Sequence, residues 1–144
     1  MAKEIKVETI IKASPEKIWT ILTNFESYPN WNPFGKYLKG NFEVGNKIEV
    51  KIAPPDAKTM VFKPTVTSFE ENKKLSWLGV LLFRGVFDGE HKFELIDNKN
   101  GTTTLIQSEY FVGILVPLFA KQLDINTKNG FIAMNQKIKE LAEA

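Results

Sequence analysis

Phe87-Asp88-Gly89-Glu90-His91-Lys92-Phe93-Glu94-Leu95 and, across the turn Asp97-Asn98-Lys99-Asn100-Gly101, Thr103-Thr104-Leu105-Ile106-Gln107-Ser108-Glu109-Tyr110-Phe111 form the most informative run of the chain. Both arms alternate with a period of two, the mark of strands with one buried and one wet face. Phe87, His91, Phe93 and Leu95 share a face with Leu105, Gln107, Glu109 and Phe111, while Glu90, Lys92 and Glu94 point the other way. The apolar face therefore also carries the single histidine, an amide and a carboxylate. Polar groups on a buried face cost free energy unless they find partners or line a wet cavity, so the hairpin predicts a pocket wall in place of a dry core.

The rest of the chain bounds what surrounds that wall. With 144 residues, the sequence reads as one domain, residues 1–144, able to bury on the order of 68% of its unfolded surface. Nineteen basic residues are interspersed with 17 acidic ones, for a net charge of +2 and no basic block, which gives no footing for nucleic acid. The absence of cysteine excludes disulfides and thiolate metal sites, and one histidine cannot build a zinc cluster. No apolar run approaches the roughly 20 residues of a membrane span, and the first residues do not lead into a signal-peptide core. The expectation is a soluble, cytoplasmic protein without metal or cofactor, as monomer or dimer.

Glu4 to Lys12 alternates as a strand. Ser14 offers an N-cap and Pro15 the favoured first helical position, and Ile18, Ile21, Leu22 and Phe25 then recur at helical spacing. Tyr28-Pro29-Asn30-Trp31-Asn32-Pro33-Phe34-Gly35 contains two prolines and a glycine and reads as an aromatic turn. Strands are predicted at about Lys36 to Lys39, Lys47 to Ala53, Lys58 to Phe69 and Lys74 to Val80. From Pro117 to about Glu143 the period lengthens: Leu123, Thr127, Phe131, Met134, Ile138 and Leu141 recur at helical steps. Unbroken, such a helix would reach ~40 Å and cross a whole sheet. Gly130 predicts close packing or a bend within it. The apolar face of an antiparallel sheet and the stripe of this helix need the same cover, so the sheet is expected to curl around the helix in an α+β fold.

Ala13-Ser14-Pro15-Glu16-Lys17-Ile18-Trp19, the turn from Tyr28 to Phe34, Leu75-Ser76-Trp77-Leu78-Gly79, the Gly89-Glu90-His91 and Phe93 segment, and Gln107-Ser108-Glu109 with Phe111, Gly113 and Pro117 together resemble one family. This is the polyketide cyclase/dehydrase branch of the START-like, Bet v1-like (SRPBCC) superfamily, and the resemblance runs from about Glu4 to Leu141. It implies a helix-grip fold: a seven-stranded curved antiparallel sheet wrapped around the long C-terminal helix, two short helices after the first strand, and a hydrophobic ligand cavity between sheet and helix. It also implies lipids, sterols, hormones or polyketides as ligands, with catalysis in some members only.

The candidate ligand-binding residues follow from the inner faces. Trp31, Phe34, Trp77, Phe87, Phe93 and Phe111 supply rings from the turn and the strands, and Phe119, Phe131 and Met134 face them from the C-terminal helical region. His91, Gln107 and Glu109 are the polar members, and a turn centred near Lys99 sets His91 opposite Gln107 or Glu109. His91 with Glu109 is the one candidate acid/base pair; the plainer reading is a brace between strands. Gly79 to Phe83, including Leu82, and Phe111 to Val116, including Leu115, are apolar where loops are usually polar, and suggest an entrance. Three functions are compatible with these residues. The preferred one is non-enzymatic binding or transport of a hydrophobic small molecule such as a lipid or polyketide. The second is a cofactor-independent polyketide cyclase or aromatase using His91 and Glu109, and the third a protein-interaction module docking through its apolar loops.

Overall fold

A computed structural model describes residues 2–81 and 83–144; Leu82 of the expected entrance loop falls outside the described residues. The order of elements is β1 (Ala2–Ile11), α1 (Pro15–Thr23), a 3-10 turn (Phe25–Ser27), α2 (Tyr28–Trp31), β2 (Gly35–Lys39), β3 (Glu49–Ile52), β4 (Met60–Phe62), β5 (Thr65–Glu70), β6 (Lys74–Leu81), β7 (Phe87–Asp97) and β8 (Thr103–Val112). A helical run closes the chain: α3 (Val116–Gln122), a π turn (Leu123–Thr127) and α4 (Lys128–Glu143). The predicted α+β helix-grip architecture is present: antiparallel strands curve over the C-terminal helix, and the core fills the space between them.

The local signals act as their chemistry requires. Ser14 Oγ accepts the backbone N–H of Lys17 at 3.2 Å and Pro15 opens α1, so the missing N–H of proline falls where a helix has no partner for one. Ile18 and Leu22 are fully buried along that helix. The turn expected over Tyr28 to Gly35 contains one turn of helix. Pro29 lies in its first positions, where a missing N–H is harmless, and Asn32 ends it by accepting the N–H groups of Phe34 and Gly35 at 3.0 and 2.8 Å.

The strand count differs from seven. Residues Lys58 to Phe69 were expected as one strand, but Pro64 has no N–H for a ladder and divides it into β4 and β5. Among the described residues eight strands result, in a five-stranded sheet of order β1-β8-β7-β6-β5 and a three-stranded sheet of order β2-β3-β4. The division is local. Ile48 donates to the Pro64 carbonyl at 2.9 Å and Val66 to that of Asn46 at 2.8 Å, so the chain entering β3 pairs with the start of β5 and carries the curved surface across the gap.

The C-terminal helix also departs from the simple pattern. Its irregularity is the π turn at Leu123–Thr127, and Gly130 is instead a point of close packing: a Cβ added there would overlap the ring of Phe34, 2.7 Å from Cε1. At the far end the buried stripe passes to Ala142, and Leu141 is 39% exposed. The helix is clasped to the edge strand β1. Lys139 Nζ donates to the Ile10 carbonyl at 2.9 Å, and Glu143 accepts both the Lys12 N–H at 2.9 Å and Lys139 Nζ at 2.6 Å. These bonds occupy edge groups that would otherwise be open to another strand.

Two outcomes follow. Gly130→Ala gains up to about 1 kcal/mol in helix propensity but forces Phe34 aside, so urea denaturation should show a net loss of about 1–3 kcal/mol; a more stable variant would mean that the ring does not lie against the helix. Glu143, first through the Lys12 N–H and then through Lys139, is held below the ordinary range for a glutamate. A lowered folded-state pKa gives stability that is present above the unfolded value and is lost as pH falls through the folded one. Glu143→Gln should therefore flatten the acid limb of a stability-versus-pH curve, and an unchanged slope would show that the clasp carries no linkage.

Candidate functional site

β7 and β8 pair in the register that sets His91 directly opposite Glu109 and Phe93 opposite Gln107. Alternation then turns His91, Phe93, Leu95, Leu105 and Gln107 inward toward the helix. His91 is 4% exposed and makes a hydrogen bond through each ring nitrogen: Nδ1 with Glu109 Oε1 at 2.9 Å and Nε2 with Gln107 Oε1 at 3.0 Å. Gln107, fully buried, donates from Nε2 to Asn135 Oδ1 at 2.8 Å and to the Phe131 carbonyl at 3.4 Å. Asn135, also fully buried, passes the chain on to the Val7 carbonyl and Thr9 Oγ1 at 3.3 and 3.2 Å. A continuous polar line thus runs from the cleft through the hairpin and α4 to β1.

The line fixes its own protons. The Val7 and Phe131 carbonyls only accept, so the amide nitrogens of Asn135 and Gln107 must face them, and Gln107 Oε1 is left facing His91. Nε2 therefore carries a hydrogen. One further proton lies between Nδ1 and Glu109 Oε1, whichever of the two atoms holds it. Three aromatic rings enclose the imidazole: Trp77 stacks parallel at 4.9 Å and 7°, Phe131 meets it edge-on at 4.9 Å, and Phe93 lies tilted at 4.9 Å. Such a shell excludes water and strengthens each bond inside it.

Beside this line lies a cleft between the two sheets and the helix. Phe34, Trp77, His91, Phe93, Gln107, Glu109 and Met134 of the expected set line it. The other five expected residues lie elsewhere. Phe131 is fully buried one layer behind, against Phe34 and His91. Trp31 is engaged outside, its indole N–H on Ser27 Oγ at 2.9 Å. Phe87, Phe111 and Phe119 form a separate cluster, Phe87 meeting the other two at 5.6 and 5.5 Å. Among the described residues, none of 79–81, 83 and 111–116 lines the cleft; Phe83 and Ile114 are 68% and 77% exposed on the surface.

The opposite wall was not anticipated. Tyr28, Tyr37, Leu38, Val50, Ile52 and Phe62 supply it from α2 and the small sheet. A signal existed: Ile48, Val50 and Ile52 alternate with Lys47, Glu49 and Lys51. Asn135 had an equally legible one, a polar residue beside Met134 and four from Phe131 on an apolar stripe. Burial pushes the Tyr28 phenol far up, and it stays protonated while donating to the Leu22 carbonyl. Tyr37 donates to Glu49 at 2.7 Å, and that bond raises its pKa. Among the described residues no three His, Cys, Asp or Glu side chains converge on a metal position, and no helix is long and apolar enough to cross a membrane.

The enclosed volume is about 20 Å³. That is room for about one water, against roughly 300–1,000 Å³ for ligand pockets. Apolar walls closed over one polar line, between a curved sheet and a gripping helix, define a helix-grip domain. The chain belongs to the polyketide cyclase/dehydrase and lipid transport family, whose profile matches residues 2–143.

Solved structures agree on the fold. The di-domain ARO/CYC StfQ of the steffimycin biosynthetic pathway superposes with a TM-score of 0.77 at 12% identity, over 99% of this chain and 51% of that one, so the chain spans about half its length. Norcoclaurine synthase from Thalictrum flavum, solved as a point mutant with a transition state analogue, gives 0.72 at 16%, covering 99% and 94%. Ara h 8.0201 gives 0.64 at 16%, covering 96% and 98%. A sequence search finds no significant match among curated proteins. Family and fold support ligand binding or cyclase chemistry in general.

Gln107 is the joint of the polar line. Gln107→Met keeps the volume but leaves His91 Nε2 and Asn135 Oδ1 without partners, each costing about 1–3 kcal/mol. Urea denaturation should show a loss of about 2–5 kcal/mol in total; a loss below ~1 kcal/mol would mean that the line does not hold sheet to helix.

Proposed function

We propose that the protein binds a hydrophobic small molecule in the cleft between the sheets and α4, as a carrier and not as an enzyme. The observation that carries this reading is the composition of the cleft wall: aromatic and aliphatic side chains from both sheets and the helix, interrupted by one carboxylate, Glu109, whose side chain is 19% exposed. Apolar walls supply affinity and a single polar group orients the guest. Acid/base catalysis through His91 is disfavoured by the geometry, since both ring nitrogens are already engaged within the protein and neither has a free position for a substrate proton.

The closed volume makes binding a coupled event. A bicyclic aromatic burying roughly 150–250 Å² gains about 4–6 kcal/mol, from which the cost of parting the walls must be subtracted. The small sheet is the wall suited to move: it is joined to the larger sheet mainly through Lys63-Pro64 and the pairing of residues 45–48 with 64–66. Dissociation constants for small probes should accordingly fall in the micromolar to millimolar range.

The test is titration with an apolar fluorescent probe. Uptake should saturate near one equivalent and change tryptophan emission, with Trp77 as the reporter because it lines the cleft while Trp19 and Trp31 do not. Trp77→Phe should abolish most of the emission response while retaining saturable uptake. Probe binding that never saturates, or that survives unfolding, would rule the reading out.

A further inference from the structure

We infer that the cleft selects a neutral, hydroxyl-bearing apolar molecule and rejects carboxylate- and phosphate-headed lipids. This rests on the binding reading above and specifies the ligand class for the same site. Among the described residues no lysine or arginine lines the cleft. Apart from the Trp77 indole N–H, the side-chain donors that do are already committed: His91 to Glu109 and Gln107, Gln107 to Asn135 and Phe131, Tyr28 to Leu22, and Tyr37 to Glu49. Trp77 is stacked flat on His91, and its neutral indole N–H has no partner among the described residues.

What the wall offers is an acceptor. Glu109 uses Oε1 on His91, and Oε2 has no partner among the described residues. Gly89 makes the room for it: a Cβ at that position would collide with Oε2, so glycine on β7 is what allows the carboxylate to lie over the strand. With the shared proton between Nδ1 and Oε1, Oε2 remains an acceptor in either arrangement. An incoming anion would meet a carboxylate and no cation, with one neutral indole N–H at most to offset the charge it buries. A hydroxyl donates to Oε2 and leaves its own oxygen the only new polar group to accommodate. An ammonium group gains the same contact but must shed a full hydration shell beside a site whose charge His91 already balances, so the neutral donor is favoured.

The experiment compares three probes of one shape: naphthalene, 2-naphthol and 2-naphthoate, titrated near neutral pH against the wild type with Trp77 emission and protein NMR shifts as readouts. The expected result is saturable binding with 2-naphthol at least ~10-fold tighter than 2-naphthoate and several-fold tighter than naphthalene. Glu109→Gln tests the origin. With its hydrogen on Nε2 toward Gln107, the neutral imidazole presents a lone pair at Nδ1 to which the new amide nitrogen donates, leaving a neutral amide oxygen in place of the carboxylate, so the naphthol-to-naphthoate ratio should fall several-fold. Equal or tighter binding of 2-naphthoate by the wild type, or an unchanged ratio in a folded Glu109→Gln, would overturn the inference while leaving the binding reading intact. Failure of all three probes to bind the wild type would overturn both. The wild-type series decides the matter even if the variant does not fold.

Discussion

The hydrogen bond from Gln107 to Asn135 is the constraint on which the architecture depends. Both amides are fully buried, one on the sheet and one on the helix, and neither has water to turn to. A bond of this kind adds only about 1 kcal/mol over its solvated alternative, but breaking it strands two polar groups at about 1–3 kcal/mol each. That asymmetry converts a modest attraction into a strong positional rule. Sliding α4 by one turn, 5.4 Å, would separate Asn135 from Gln107 and from Val7 at once. It would also bring side chains, in place of Gly130, against Phe34. Apolar packing alone tolerates such slippage; a polar line that must be matched at every joint does not. The clasp of Lys139 and Glu143 on β1 then repeats the same register at the surface, where it is worth less and is open to pH.

The closed cleft is a consequence of the same register. With α4 fixed, Phe34 is pinned between Gly130 and Phe131, and the start of β2 is drawn down toward the helix. Pro64 lets the surface fold over at the opposite end, because a strand that lacks one ladder donor can bend there without leaving that donor unpaired. The two sheets therefore meet as the sides of a grip. The result is an interior of about 20 Å³, in which the walls touch one another when nothing is between them.

Much of this was legible in the sequence, and the reasons are physical. The hairpin was readable because its two faces differ in polarity at every step, and its tight turn fixes the register to within one pair, so His91 and Glu109 could be set opposite each other. The capped helix α1 was readable from Ser14 and Pro15, and the C-terminal helix from its period. What escaped lay where local pattern and tertiary contact compete. Pro64 has no effect on the alternation of Lys58 to Phe69, but it removes a ladder donor, which appears only once the partner strand is known. Gly130 announces either a bend or a close approach, and the choice depends on Phe34, ninety-six positions earlier in the chain. The aromatic candidates divided for a similar reason: alternation places Phe87 and Phe111 on the same face as His91, yet a cleft has a finite length, and those rings fall beyond its end against Phe119.

The polar line also explains why a histidine and a glutamate in contact are not by themselves a catalytic pair. A general base requires a lone pair free to take a proton from outside, and a general acid a proton free to leave. Here the amide orientation, set at the Val7 and Phe131 carbonyls, propagates through Asn135 and Gln107 and consumes both nitrogens of His91. The imidazole is a link in a chain anchored to backbone, and its chemistry is directed inward. Glu109 keeps Oε2 without a partner among the described residues, and its side chain lines the cleft. The fold resembles that of a di-domain ARO/CYC protein and of a norcoclaurine synthase, so the walls and the grip are common property and the side chains that line them are where these proteins can differ.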